Sequence, residues 1–133
     1  MSRAAGALTP FRIDVAPEVL EDLARRLEHA RLPGAPVDAG WEYGIEPDYL
    51  RRLLEHWRHG YDWRAAEARL NRRPQFIACV GDHRLHVIVE RGSGADPLPL
   101  VLTHGWPGSF VEFEGVIGPL AHPERFGGRI EDA

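Results

Sequence analysis

LPLVLTHGWPGS, residues Leu98 to Ser109, is the stretch whose reading decides the fold. Its apolar run, Leu100, Val101 and Leu102, ends abruptly at His104-Gly105-Trp106-Pro107-Gly108-Ser109. A short apolar run bounded by Gly and Pro reads as a buried strand of the parallel type. The residues after the run read as a tight loop feeding a helix. Ser109 and Glu112 have capping-box spacing, and Phe110, Phe113, Val116 and Ile117 continue at helical intervals. Strand, Gly-rich turn and helix N-terminus together aim backbone N–H groups at a point where negative charge can develop. The stretch is therefore read as an oxyanion-binding loop rather than a plain strand-to-helix turn.

Upstream of it the hydrophobic period is that of strands. Phe76, Ala78 and Val80 alternate with Ile77 and Cys79, and Leu85, Val87 and Val89 alternate with His86, Ile88 and Glu90. Gly81-Asp82 between them reads as a hairpin turn, which predicts strands over 75–80 and 84–91. Before Pro74 the period is helical. Leu20, Leu23, Ala24 and Leu27 follow Pro17, with acids early and bases late, and Pro33-Gly34 stops the helix. Pro47 opens a second helix carrying Leu50, Leu53, Leu54 and Trp57, with Gly60 as its stop. Asp62 caps a short third helix with Trp63, Ala66 and Leu70 inward, ending near Asn71. Phe11, Ile13 and Val15 form a short extended segment, and 33–46 is a loop anchored by Trp41 and Tyr43. Helices first and strands second predict an α/β chain: a helical segment, 1–74, then the start of an α/β sheet, 75–133, with its first three strands.

Composition bounds what such a chain does. The 133 residues suffice for a modest core, and 44% hydrophobic with 27% charged residues is ordinary for a globular protein. A net charge of −4 argues against a nucleic-acid partner, and Arg72-Arg73 reads as solvated surface. The single cysteine, Cys79, excludes an internal disulfide and reads as a buried thiol. MSRAAGALTP is too short in apolar residues for a signal peptide, and no run reaches membrane-spanning length. A cytoplasmic protein without membrane contact is the expectation.

Other chemistry-bearing residues have simpler readings. Glu55, His56 and His59 lack a third ligand at a telling distance, so no metal site is expected. His86 reads as a hydrogen-bonded strand residue and His104 as a loop-structuring one. Glu112 reads as the capping partner of Ser109, and Glu114 as solvated. Trp57 and Trp63 lie on helical apolar faces, so core packing explains them better than a pocket that includes Trp41.

The segments ARLPG, GWEYGIEPDYLRRLLEHWRHGYDWRAAEARLN, RLHVIVERG and PLPLVLTHGWPGSFVEFEGVIGPL follow one another in the order and spacing of microsomal-type epoxide hydrolases. The resemblance runs from Phe11 to about Gly128. HGWPGS resembles the oxyanion loop after the third strand of α/β-hydrolases. Haloalkane dehalogenases are similar there but lack the helical lead. The resemblance implies a small epoxide as substrate and no cofactor. An Asp opens the epoxide to form an enzyme ester. A His, oriented by an acid, activates the water that hydrolyses it to a vicinal diol, and lid tyrosines donate to the epoxide oxygen. Ester hydrolysis passes through a tetrahedral oxyanion. The matching donor here is the backbone N–H of Trp106. His104, Gly105 and Pro107 shape the loop, and Trp106-Pro107 resembles a cis peptide.

No G-x-[DS]-x-G elbow occurs in the chain, Asp82 and Asp96 sit at turns, and Tyr43, Tyr49 and Tyr61 match no lid position. The sequence is thus read as an N-terminal part of such an enzyme, truncated before the nucleophile and inactive alone. The alternative is a non-catalytic helical interaction or dimerisation module, with a homodimer compatible with either. In the family fold the third strand is separated from the second by the fourth, which is absent here. Unpaired strand edges are costly. Residues 1–133 alone are accordingly expected to be marginally stable or unfolded, and a sharp cooperative thermal transition would refute this.

Overall fold

The computed structural model describes residues 8–34, 36, 38 and 40–133. The reading of the leader at 1–7, and of residues 35, 37 and 39 within the 33–46 loop, falls outside the described residues. The chain divides into two compact bodies, Arg12–Arg72 and Met1–Phe11 with Arg73–Ala133.

The first body holds three helices: α1 (Pro17–Glu28), α2 (Pro47–His59) and α3 (Trp63–Leu70). Pro17 and Pro47 occupy first-turn positions, where a missing N–H costs nothing. Glu46 caps α2, accepting from the N–H groups of Asp48 at 2.9 Å and Tyr49 at 2.6 Å. These bonds hold its carboxyl below the usual carboxylate range. Asp62 caps α3 through Ala65 N–H at 3.0 Å, as its spacing predicts. Gly60 caps the end of α2, its N–H donating to the His56 carbonyl at 2.7 Å.

Two polar side chains of α3 and its cap organise this body. Asn71 accepts from Ile13 N–H at 2.9 Å and donates to Ile13 C=O at 2.8 Å. The buried Glu67 accepts from Val15 N–H at 2.8 Å, from Arg64 at 2.7 Å and from Trp63 Nε1 at 3.3 Å. The Val15 amide, then the Arg64 guanidinium, holds its carboxyl below the usual range. The extended segment 12–16 is thereby clamped by side chains. Helix α1 meets α2 through a Glu28–Arg58 ion pair of 2.9 Å. An open groove of about 440 Å³ remains between Leu20, Leu23, Leu27, Trp57, Tyr61 and Trp63. Trp57 is consequently exposed, which corrects its reading as core, and Trp41 is also exposed, against Tyr49 at 5.1 Å.

The second body is built on a three-stranded antiparallel sheet, β1 (Leu8–Phe11), β2 (Gln75–Val80) and β3 (His83–Ile88), in that order. The hairpin matches its predicted place, ending three residues earlier. Gly81 adopts φ +59° ahead of Asp82, the type II′ arrangement of a two-residue turn. The strand at the N-terminus is Leu8–Phe11, not the Phe11–Val15 alternation, because β1 is defined by pairing, with Leu8 opposite Ala78 and Phe11 opposite Gln75. Cys79, near the hairpin tip, is exposed and not a buried thiol. The central correction concerns 98–103. It forms no strand: every residue from Ala95 to Pro107 is exposed, and among the described residues no backbone group of 98–103 has a hydrogen-bond partner. A continuous apolar run signals burial only if a neighbouring strand is present to accept it. The sheet's three strands are therefore β1, β2 and β3, and 98–103 is not among them. After the loop come a 3-10 turn (Phe110–Phe113), α4 (Glu114–Ala121), and further 3-10 turns at Pro123–Phe126 and Ile130–Asp132. Among the described residues no helix is long and apolar enough to cross a membrane.

Asn71→Ala strips both backbone groups of Ile13 of their partner. It is expected to destabilise the helical body by about 1–2 kcal/mol, read as faster amide exchange throughout 13–28. Unchanged exchange there would show that the clamp is dispensable.

Candidate functional site

The HGWPGS loop is a tight turn standing out from the second body. Gly108 N–H donates to the Gly105 carbonyl at 2.7 Å, closing a four-residue turn with Trp106 and Pro107 at its centre. The Trp106–Pro107 peptide is cis, which makes the turn type VI. His104 Nδ1 lies 3.4 Å from the same carbonyl oxygen, within reach to donate as the Nδ1–H tautomer. Trp106 is 96% exposed. Among the described residues nothing accepts from its backbone N–H, so that donor is open to an incoming oxygen.

The start of the next element differs from a capping box. Ser109 caps a 3-10 turn, its Oγ accepting from Val111 N–H at 3.3 Å, while Glu112 N–H goes to the Ser109 carbonyl at 3.1 Å. In the tighter 3-10 winding the second amide, not the third, meets the cap oxygen. The Glu112 carboxylate instead lies over Gly108, where a Cβ would come within 1.6 Å of its oxygen. Only glycine at 108 admits this placement.

Two clusters support the sheet behind the loop. His86 hydrogen-bonds the buried Gln75 side chain at 2.9 Å and lies edge-on between Phe11, at 5.1 Å, and Phe110, at 5.2 Å. It thus ties β1, β2, β3 and the residue after the loop together, as a hydrogen-bonded strand histidine. Desolvation by these neighbours holds its imidazole below the usual range. The second cluster was invisible in the sequence. Glu90 receives His122 Nε2 at 3.0 Å and Arg73 at 3.4 Å, and Arg73 also reaches the Glu114 carbonyl at 3.4 Å. Arg73 is thus a half-buried link and not solvated surface, and Glu114 is half-buried too. His122 Nδ1 is buried without a partner among the described residues. Nearby, Ser93 donates to Glu124 at 2.8 Å and holds that carboxyl below its usual range. No spacing rule relates residues 73, 90 and 122. Asp82 lies in the hairpin turn and Asp96 in the loop ahead of 98. In the other body Tyr43, Tyr49 and Tyr61 are exposed, as are His56 and His59, the latter 3.5 Å from Glu55. Among the described residues no group of three potential ligands is placed to hold a metal.

A helical lead, an antiparallel hairpin and a Gly-rich loop opening a helix define the leading part of an α/β-hydrolase. The family profile described as epoxide hydrolase N terminus matches residues 8–113, and the chain belongs to that family. A Stigmatella aurantiaca protein, provisionally described as an epoxide hydrolase, is 42% identical over 126 residues, which cover 95% of this chain and 29% of that one. Epoxide hydrolase 1 of Oryctolagus cuniculus is 34% identical over 125 residues, covering 91% and 28%. The solved epoxide hydrolase of Aspergillus niger superposes with a TM-score of 0.80 at 30% identity, covering 96% of this chain and 33% of that one. The chain therefore spans about a third or less of the length of the relatives it matches.

The His86 imidazole yields a pH prediction. A base whose folded-state value is depressed contributes stability that is complete above about pH 6.5 and is lost as pH falls through the folded value. Amide protection in β2 and β3 is expected to drop over that window and the His86 NMR titration to fall below the free imidazole. His86→Phe should flatten the drop. A titration at or above the ordinary value would contradict it.

Proposed function

We propose that this chain is the leading part of an epoxide hydrolase that adds water to a small epoxide and releases a vicinal diol. The observation that carries the reading is the open Trp106 N–H at the tip of the Gly105–Gly108 turn. The reaction runs in two steps. A carboxylate outside this chain attacks an epoxide carbon, breaking the C–O bond and leaving an alkyl-enzyme ester and an alkoxide that is protonated. Water, deprotonated by a histidine outside this chain, then adds to the ester carbonyl. Negative charge develops on that carbonyl oxygen and is released when the ester C–O bond breaks. A fixed backbone donor at that oxygen stabilises the transition state of the second step more than the ester before it. Trp106 N–H is that donor. Gly105, Pro107 and His104 hold the turn, and the glycine at 108 leaves room for the Glu112 carboxylate beside it. No cofactor enters either step.

The isolated 133-residue chain is expected to produce no diol from styrene oxide above a protein-free blank. Grafted in place of the matching segment of the Stigmatella aurantiaca relative, it should restore turnover if that relative is active. Trp106→Pro in the graft removes the N–H and should lower kcat by about 10²-fold or more, with ester accumulating because its hydrolysis slows. Diol from the isolated chain, or a Trp106→Pro graft with unchanged kcat, would overturn the assignment.

A further inference from the structure

Helix α4, which follows the loop, is poorly held by its own sequence. Its eight residues include Gly115, Gly118 and an internal Pro119, and it has neither a side-chain cap nor a buried residue. Glycine is a poor helix former, and an interior proline is poorer still because it also removes an amide from the ladder. The order of α4 therefore comes from polar contacts made from outside. These converge on one carboxylate. Glu90 Oε1 accepts from His122 Nε2 at 3.0 Å, just past the last turn. Glu90 Oε2 accepts from Arg73 at 3.4 Å, and the same guanidinium reaches the Glu114 carbonyl at 3.4 Å, in the first turn. Ser93 N–H also donates to the Ala121 carbonyl at 2.8 Å, but it meets the last turn only. His122 Nδ1 is buried without a partner among the described residues, so Glu90 supplies the ring's one hydrogen bond. Glu90 and His122 keep 22% and 17% of their side-chain surface exposed, so water competes little for these charge-assisted bonds.

Among the described residues Glu90 bonds to no atom of 104–109, yet it is joined to both ends of the helix that the loop runs into. We propose that Glu90 is a positioning residue for the Trp106 N–H, acting through His122 and Arg73 on α4. The inference rests on the assignment of that amide as the oxyanion donor. Such a donor acts only where charge develops, which is in hydrolysis of the ester. Its displacement by about 1 Å is enough to slow that step by about 100-fold. Attack on the epoxide carbon draws nothing from this amide and keeps its rate. Loss of Glu90 thus has a signature that general destabilisation lacks: one step slows and the other does not.

Two measurements read this. In the 133-residue chain, Glu90→Ala is expected to speed exchange of the Gly108 amide, which closes the turn, by about tenfold or more. The paired hairpin residues Ala78 and Leu85 should keep their protection. In the Stigmatella aurantiaca graft, Glu90→Ala should slow ester hydrolysis by about tenfold or more and leave ester formation within about twofold. Rapid quenching followed by the mass of the enzyme ester separates the two rates. Arg73→Met frees only the first turn and should slow hydrolysis less. Glu90→Gln offers an amide oxygen to Arg73 and an amide N–H to His122, and should recover part of the lost rate. Unchanged Gly108 exchange, equal slowing of both steps, or Glu90→Gln no better than Glu90→Ala would each overturn the proposal. Trp106→Pro keeps the two readings apart. If it slows hydrolysis while Glu90→Ala does not, the role of Glu90 alone is refuted. If it changes nothing, the donor assignment fails, and Gly108 exchange still decides whether Glu90 holds the turn.

Discussion

A strand can be buried only when its backbone N–H and C=O groups find partners, because each unpaired group withdrawn from water costs as much as a lost hydrogen bond. In the sheet body, among the described residues, this condition is met on both sides only by residues 75–78 of β2. Its first residue, Gln75, is buried, and β1 and β3 flank it. β3 is half-satisfied, and 98–103 is not satisfied at all despite being richer in leucine than either paired strand. Pairing does not by itself bury a side chain, since Val80 of β2 and Leu85 of β3 are exposed as well.

The helical body solves a similar shortage with side chains. Its apolar stripes leave a groove open, and among the described residues only Ala66 and Leu70 are buried apolar positions. Order in the 12–16 segment comes instead from Asn71 and Glu67, which supply donors and acceptors that a neighbouring strand would otherwise provide. A charged acceptor makes stronger hydrogen bonds than a neutral one, and Glu67 gathers one backbone and two side-chain donors. Its buried charge is tolerable because Arg64 lies against it at 2.7 Å.

Local elements were legible in the sequence because local signals specify them. Pro17, Pro47 and Asp62 mark helix starts, leucines at three- and four-residue intervals mark the stripes, and Gly81 marks the hairpin. The turn at 104–109 was legible for the same reason, down to its cis bond. What escaped depends on residues distant in the chain. β1 has no alternation of its own and exists because β2 accepts it. The Glu67–Val15 and Asn71–Ile13 bonds span 52 and 58 residues. The fate of 98–103 illustrates the limit best: its composition states a demand for burial, while the neighbour that would meet the demand is not encoded within the run. Ser109 and Glu112 show a subtler failure. Capping-box spacing presumes α-helical winding in the first turn, and the 3-10 winding moves each amide one position along.

The chemistry proposed for the loop requires a donor that does not reorganise when charge appears, yet among the described residues no hydrogen bond holds the segment leading into it. Its fixity must therefore come from the other side. α4 begins five residues after Ser109, and polar bonds tie both of its ends to the same two places on the sheet. Arg73, two residues before β2, grips the Glu114 carbonyl at its start, and Glu90, two residues after β3, grips His122 at its end. Arg73 and Glu90 also bond to each other, so the two anchor points are one object. Phe110, the first residue past the cap, adds an apolar contact to His86 in β3. The turn at Trp106 is thus cantilevered from the helix on its C-terminal side, and the segment on its N-terminal side can remain open without releasing the amide.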